Sequence, residues 1–339
     1  MILLLTIIAL ALIFDYINGF HDAALTITTI VSTKVLTPFQ AVLWAAIFNF
    51  AAFFIFSNFI GQFRIGSTVA HLVHREFITL PVILSGLIAA LAWNLFTWWF
   101  GIPSSSSHTL LGGFVGAALA HAGGWVVHGR AVIDYGSVIP TFLFIALAPL
   151  IALVAALVIT VLVINLFQRS NPYKAEHWFR RLQLVSSALL SLGHGSNDAQ
   201  KVLGIIAAAL MAHGDLENMN SIPQWVPLAC FAAIALGTMS GGWRIAKTMG
   251  KRITKVSPME GVCAETAGAI TLFLTQWLGI PVSTTHTISA AIIGVGSTKR
   301  MSAVRWGVTI NLLWAWILTI PVSGGLAAVI YWMAGRFYH

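Results

Sequence analysis

Long apolar runs without charge constrain this chain most. Leu80 to Phe100 and Val138 to Phe167 contain no Asp, Glu, Lys or Arg. Each reaches or exceeds the roughly 20 residues that cross about 30 Å of hydrocarbon. A large soluble core does not explain them, because a soluble surface must still face water and such domains carry roughly 25% charged residues. Here 8% of 339 residues are charged and 58% are hydrophobic. The expected fold class is an all-α polytopic membrane protein. The opening "MILLLTIIALALIF" has no basic leader and continues into "DYINGFHDA", so it reads as an uncleaved first span rather than a signal peptide.

The organisation follows from internal repeats. "GFHDA" at 19–23 returns as "GSNDA" at 195–199, and "GIPSSSSHT" at 101–109 returns as "GIPVSTTHT" at 279–287. Two motif pairs share nearly one offset, so a whole half is duplicated. The expected units are a first repeat at 1–167, a cytoplasmic linker at 168–182 and a second repeat at 183–339, together one transmembrane transport domain. Candidate spans are 1–33, 38–60, 80–100, 104–121 and 138–165, then 183–212, 224–241, 259–278, 282–297 and 303–336.

The formal net charge is +8, but Lys and Arg gather in short loops, as in the cytoplasmic loops of membrane proteins. Nucleic acid is therefore not an expected partner. The linker (Arg169, Lys174, Arg180, Arg181) and the loop holding Arg244, Lys247, Lys251, Arg252 and Lys255 are placed inside, and counting spans adds Lys34, Lys299, Arg300 and Arg305. Arg64, Arg75, Arg130 and Arg336 fall outside, as do both termini. An odd number of crossings separates the copies, so they insert upside down: an inverted-topology repeat of two homologous halves. Such a chain has about 10–12 transmembrane segments, including broken helices and re-entrant hairpins. Cys230 and Cys263 lie in apolar segments and read as buried thiols.

Acidic residues within spans are Asp15, Asp22, Asp198 and Glu265. A charge there costs a few kcal/mol and marks an ion or substrate path. Asp22 and Asp198 hold equivalent positions, each shortly after glycine, where a broken helix is expected to free carbonyls around the carboxylate. The competing reading is an Asp that only caps a second half-helix. Such hard oxygen sets suit Na+ or a proton, and Asp22 also stands among the substrate-binding candidates. Glu265, aligned with Leu87, and Gln200 join the ion-coupling candidates. Asp15, aligned with Ser191, is as readily structural. Lys201, one turn beyond Asp198, either neutralises that carboxylate or helps hold an anion. His21 and Asn197 share an aligned position, and Asn197 is a candidate substrate ligand.

The repeated loops supply the anion chemistry. Gly and Pro interrupt the chain, and a helix restarts among hydroxyls. Its free amides and positive end form an anion site. The paired candidates are Ser105 with Ser283, Ser106 with Thr284, and Ser107 with Thr285. The bland alternative is hydroxyls that bond within packed helices. His108 and His286 are auxiliary, orienting the loops.

These stretches, "NGFHDAA", "GHGSNDAQK", "GIPSSSSHT" and "GIPVSTTHT", resemble the signatures of the inorganic phosphate transporter (PiT) family. The "FHDA" and "NDAQK" spellings look like its bacterial low-affinity branch. The resemblance spans almost the whole chain. It implies ion-coupled uptake of inorganic phosphate across the cytoplasmic (inner) membrane, with H+ or Na+ coupling and a divalent metal carried with phosphate. Asp22 and Asp198 are then the candidate metal ligands. It also implies extracellular termini, in agreement with the charge count. Family sequences often continue "DAANA" after the first motif Asp, whereas this chain reads Ala23, Ala24, Leu25, Thr26, which removes one ion ligand.

Expected partners are phosphate, a coupling cation and the lipid bilayer, with a homodimer as candidate assembly and no cofactor. The rivals are a sulfate or related oxyanion permease of the same fold, an intramembrane Ser/His hydrolase, and a passive channel. Sulfate has no proton to donate to a carboxylate. A hydrolase needs one nucleophile and its base and gains nothing from a duplicated loop.

Overall fold

The computed structural model describes residues 1–57, 63–102, 104–241, 256–299 and 306–335, with the side chains at 25, 308, 311 and 312 outside that description. Also outside it lie Pro103, the basic residues from Arg244 to Lys255, and Arg300, Arg305 and Arg336. The sidedness assigned to those residues, and the ends of the spans 38–60 and 303–336, are therefore sequence readings alone.

The first repeat supplies α1 (Ile2–Ser32), α2 (Pro38–Ile55), the short α3 (Arg64–Ala70), α4 (Leu80–Phe100), α5 (Ser106–Ala122) and α6 (Tyr135–Phe167). The second supplies α7 (Pro172–His213), α8 (Trp225–Ser240), α9 (Pro258–Leu278), α10 (Thr284–Lys299) and α11 (Trp306–Gly335). A small hairpin pairs Val126–Val127 with Arg130–Ala131 between α5 and α6. Local sequence starts the helices as expected. Capping boxes formed by Thr37 with Gln40 and by Ser257 with Glu260 open α2 and α9. Asp134 caps α6, and its bonds from Ser137 Oγ (2.6 Å) and the Gly136 amide (3.0 Å) hold its carboxyl below the usual carboxylate range.

Five described stretches, in α1, α2, α4, α6 and α11, are long and apolar enough to cross a membrane, so the chain is a multi-pass membrane protein. The helices α5 and α10 are too short for that group, at 17 and 16 residues, and α5, α7, α9 and α10 all carry Ser, Thr, Asp, Glu or Lys residues singled out above. Those residues are buried inside the protein instead of facing lipid.

Within 168–182 the chain turns helical at Pro172, where α7 begins, capped by Asn171, and runs unbroken to His213. One expectation is corrected: there are no broken helices at Asp22 or Asp198, since α1 and α7 are continuous through both. The glycines beside them serve close packing. A Cβ on Gly19 would stand 2.3 Å from the Ile234 carbonyl of α8, and one on Gly195 would stand 2.6 Å from Asn49 Cα of α2. Gly19 and Gly195 are equivalent positions, so each repeat presses its first helix onto the second helix of the other. Further contacts are reciprocal: α5 lies on α11 as α10 lies on α6, and α4 on α11 as α9 on α6. Such exchange is the contact pattern of two-fold related units.

Candidate functional site

The duplicated loops do end helices as expected. Gly101 (φ 65°) closes α4 and Gly279 (φ 72°) closes α9, both left-handed, a conformation that glycine enters without a Cβ penalty. After each turn a serine caps the next helix: Ser105 Oγ accepts from the His108 amide (3.2 Å) and Ser283 Oγ from the His286 amide (3.3 Å). Thus α4–α5 and α9–α10 are helical hairpins with buried tips. Ser107 Oγ donates to the Val282 carbonyl (3.2 Å), so the tips touch.

The hairpins approach from opposite ends of α7. Near its start, Arg180 donates to the Lys34 carbonyl (2.6 Å), and α9 begins there, with Glu265 accepting from Ser186 (2.5 Å). An ion pair between Glu260 and Lys299 (2.8 Å) joins the open end of that hairpin. Near the other end of α7, Arg75 donates to the Met211 carbonyl (3.4 Å). The pair Glu76–Arg130 (2.9 Å) joins the open end of the first hairpin there.

Where the tips meet, they face Asp22 on α1 and Asp198 on α7, both fully buried. Asp22 Oδ2 accepts from Ser106 (3.2 Å) and lies 3.4 Å from Thr284 Oγ1, while its Oδ1 accepts from Thr285 (3.2 Å). His21 Nδ1 stands 3.0 Å from Asp22 Oδ1. Thr284 also reaches Asp198 Oδ2 (3.2 Å), and so spans the two carboxylates. Lys201 Nζ, at 2.6 Å from Asp198 Oδ1, supplies the nearby positive charge. The helix N-termini of α5 and α10 begin at the same place and add partial positive charge.

The site joins most of the expected residues. Ser106, Ser107, Thr284, Thr285, Asp22, Asp198, His21 and Lys201 form one bonded cluster, with Ser105 and Ser283 as the caps that shape it. Asn197 lies beside Asp198 on α7, fully buried, with neither amide atom hydrogen-bonded. A buried orphan costs about 1–3 kcal/mol, so this amide is available to a ligand. His108 and His286 pack ring against ring (centroids 4.5 Å), and His286 stacks on Trp316 (3.8 Å). No tip serine among the described residues bonds either imidazole, so the nucleophile–base pair a hydrolase needs is not formed there.

Glu265 and Gln200 are elsewhere. Glu265 accepts from Thr29 (2.6 Å), Gln183 (2.9 Å) and Ser186, in a second polar locus between α1, α7 and α9. Gln200 is drawn away to α3, accepting from the Ile65 amide (3.2 Å) and donating to Ser196 (3.0 Å). Asp15 is buried with both oxygens unbonded, as is the Asn18 oxygen one turn along the same helix.

Sequence reasoning missed His194. Its Nε2 lies 3.3 Å from Asp198 Oδ2, and Asp22, His194 and Asp198 each offer a ligand atom within 4.8 Å of the others. The available signal was the i, i+4 spacing from His194 to Asp198. Two carboxylates and an imidazole suit a divalent cation of mixed nitrogen and oxygen preference. Thr97 and Asn49 were missed too: Thr97 bonds Ser104 (2.9 Å), and Asn49 lies 3.3 Å from His194 Nδ1.

Fold and site together define a membrane protein whose two repeats close a hydroxyl-lined, doubly carboxylated centre in its interior. The comparisons with known proteins agree. The sequence pattern of the Phosphate transporter family matches residues 18–176 and again 165–327, and this chain belongs to that family. It is thus one of a family of transporters, not of enzymes. It is 50% identical over 332 residues to a "Probable low-affinity inorganic phosphate transporter" of Rhizobium meliloti, covering 98% of this chain and 96% of that one. A protein of the same name from Bacillus subtilis is 41% identical over 345 residues, covering 100% and 99%. The solved structure titled "The sodium-dependent phosphate transporter" has a TM-score of 0.87 at 23% identity, over 99% of this chain and 100% of that one. At that identity it shows the shared fold.

Proposed function

We propose that this protein is an ion-coupled symporter that imports inorganic phosphate across the cytoplasmic (inner) membrane. The observation that carries this reading is the meeting of both hydroxyl tips at Asp22 and Asp198. A hydroxyl donates one hydrogen bond and accepts two. Ser106, Thr284 and Thr285, now turned toward carboxylates, can therefore rotate to donate to phosphate oxygens, with Asn197 adding an amide. Asp198 is paired with Lys201, but the Asp22 carboxylate beside a phosphate dianion repels it strongly in low dielectric. A proton, Na+ or a divalent cation carried with the substrate must neutralise it, and that requirement couples the fluxes. Glu265 forms a second cation-responsive locus.

The proposed arrangement in the bilayer is an inverted-topology repeat with both termini outside, one transport domain of 1–167 and 183–339 joined through 168–182. The opposed hairpins and reciprocal contacts support it. Alternating opening of one repeat against the other then exposes the buried centre to each side. Cysteines at the exposed positions Ser170 and Asn218 test this: in intact cells Asn218→Cys reacts with an impermeant thiol reagent and Ser170→Cys is shielded. Equal labelling overturns the topology.

The function itself is tested by phosphate uptake into proteoliposomes under imposed H+ or Na+ gradients. Accumulation against the phosphate gradient, abolished by the matching ionophore, is the expected result. Uptake that only equilibrates phosphate indicates a passive channel, and sulfate taken up as well as phosphate reassigns the substrate.

A further inference from the structure

The least ordinary group in the centre is Lys201. Its side chain is 2% exposed, and an ammonium that deep is tolerated only when its charge and all three donors are matched. Here they are: Nζ donates to Asp198 Oδ1 at 2.6 Å, to Ser107 Oγ at 2.5 Å and to the Val282 carbonyl at 2.6 Å. The three acceptors come from α7, from the first hairpin's tip and from the second's. The Val282 carbonyl is available because the chain turns there before α10 begins at Thr284. One carboxylate, one hydroxyl and one free carbonyl are the hard oxygens that would hold a small alkali cation.

The other repeat lacks this feature. Leu25 occupies the position equivalent to Lys201, and the acidic partner there, Asp22, is met by hydroxyls and by His21. One carboxylate thus has a counter-charge tethered to the chain and the other does not.

We infer that the Lys201 ammonium is a tethered cation, occupying a monovalent-cation site formed by Asp198, Ser107 and Val282, so that only the Asp22 side takes a mobile coupling cation. The Lys201 side chain also fastens both tips to α7 through its three hydrogen bonds. A transporter with this lysine has one fewer exchangeable cation at its centre than the same scaffold without it. The uptake arm of the test below rests on the phosphate-transport reading; the stability arm does not.

The discriminating variants differ in the space they leave. Lys201→Ala empties the cage, whereas Lys201→Met fills it with an uncharged chain of similar length. In proteoliposomes containing choline as the sole monovalent cation, both variants are expected to lose at least about tenfold in phosphate uptake, since Asp198 is left buried and unpaired. Replacing choline with sodium or ammonium restores Lys201→Ala and leaves Lys201→Met inactive. In detergent without phosphate, sodium raises the melting temperature of Lys201→Ala more than that of wild type or Lys201→Met. If Lys201→Ala yields no monodisperse protein without sodium, recovery of its yield on adding sodium is the same result, and no recovery overturns the inference. Equal sodium shifts in all three proteins overturn it, as does uptake by Lys201→Ala that is unaffected or never rescued. A wild type that takes up no phosphate under either an H+ or a Na+ gradient defeats the transport reading, while the melting comparison still decides the cage.

Discussion

Asp22→Asn is expected to abolish gradient-driven phosphate accumulation while leaving a folded, inserted protein, and Asp198→Asn to damage both. The two aspartates are equivalent in the repeats, but their surroundings differ. Asp22 accepts from Ser106 and Thr285, with Thr284 at the edge of reach. Each hydroxyl can rotate to accept from an asparagine amide, so the structural loss is about 1 kcal/mol per altered bond. What disappears is the charge, and with it the cation affinity on which coupling depends. At Asp198 the same change strips the Lys201 ammonium of the carboxylate 2.6 Å away. Breaking a buried pair by removing one partner costs about 3–5 kcal/mol, so Asp198→Asn should melt well below wild type. Pairing it with Lys201→Met removes the stranded charge and should recover stability without recovering coupled transport. Melting followed by size-exclusion in detergent, together with concentrative uptake, separates the two effects. An Asp22→Asn protein that accumulates phosphate at the wild-type rate with unchanged ion dependence removes Asp22 from the coupling. An Asp198→Asn protein as stable as wild type removes the argument for a structural ion pair.

Much of this centre was legible in the sequence, because duplication makes weak signals mutual. One serine-rich loop in apolar sequence has several explanations; two at a constant offset from two aspartates have few. The "GIP" turns were readable since glycine and proline there act on the chain locally. The helix breaks expected at Asp22 and Asp198 were not real, and the reason is that a glycine in a helix has two uses. It can weaken the helix, or it can let another backbone approach, and only the partner helix decides. Ile234 and Asn49, which decide it for Gly19 and Gly195, are far away in sequence. Gln200 was misdirected by counting along the chain instead of around the helix. It is two residues from Asp198 and points to another face, whereas Lys201, three residues on, shares the aspartate's face. His194 escaped because the aligned residue in the first repeat is Asn18, so the comparison that revealed the aspartates concealed the histidine.

The other large effect is expected at Glu265, and its interest lies in separating coupling from binding. Three donors converge on this carboxylate: Thr29 from α1, and Gln183 and Ser186 from α7. Thr33 in turn donates to the Gln183 oxygen at 2.8 Å, which fixes the amide with its nitrogen toward Glu265. Glu265→Ala would orphan three buried donors at about 1–3 kcal/mol each where water does not replace the carboxylate, so failure of that protein to fold would say little about transport. Glu265→Gln is the sharper change. It keeps the side-chain volume and one acceptor oxygen, and both α7 partners can adjust, but it holds no charge for a cation to answer. No tip hydroxyl among the described residues touches Glu265, so phosphate binding to the detergent-solubilised protein should stay within about twofold of wild type. Concentrative uptake should fall at least about tenfold, the rate equivalent of roughly 1.4 kcal/mol, with a changed dependence on the ion gradient. If Glu265 is instead only a tie between α1, α7 and α9, the pattern reverses: Glu265→Gln melts lower yet accumulates phosphate with wild-type ion dependence. That result would leave the Asp22–Asp198 centre as the place where cation and phosphate meet, and make Glu265 a packing group.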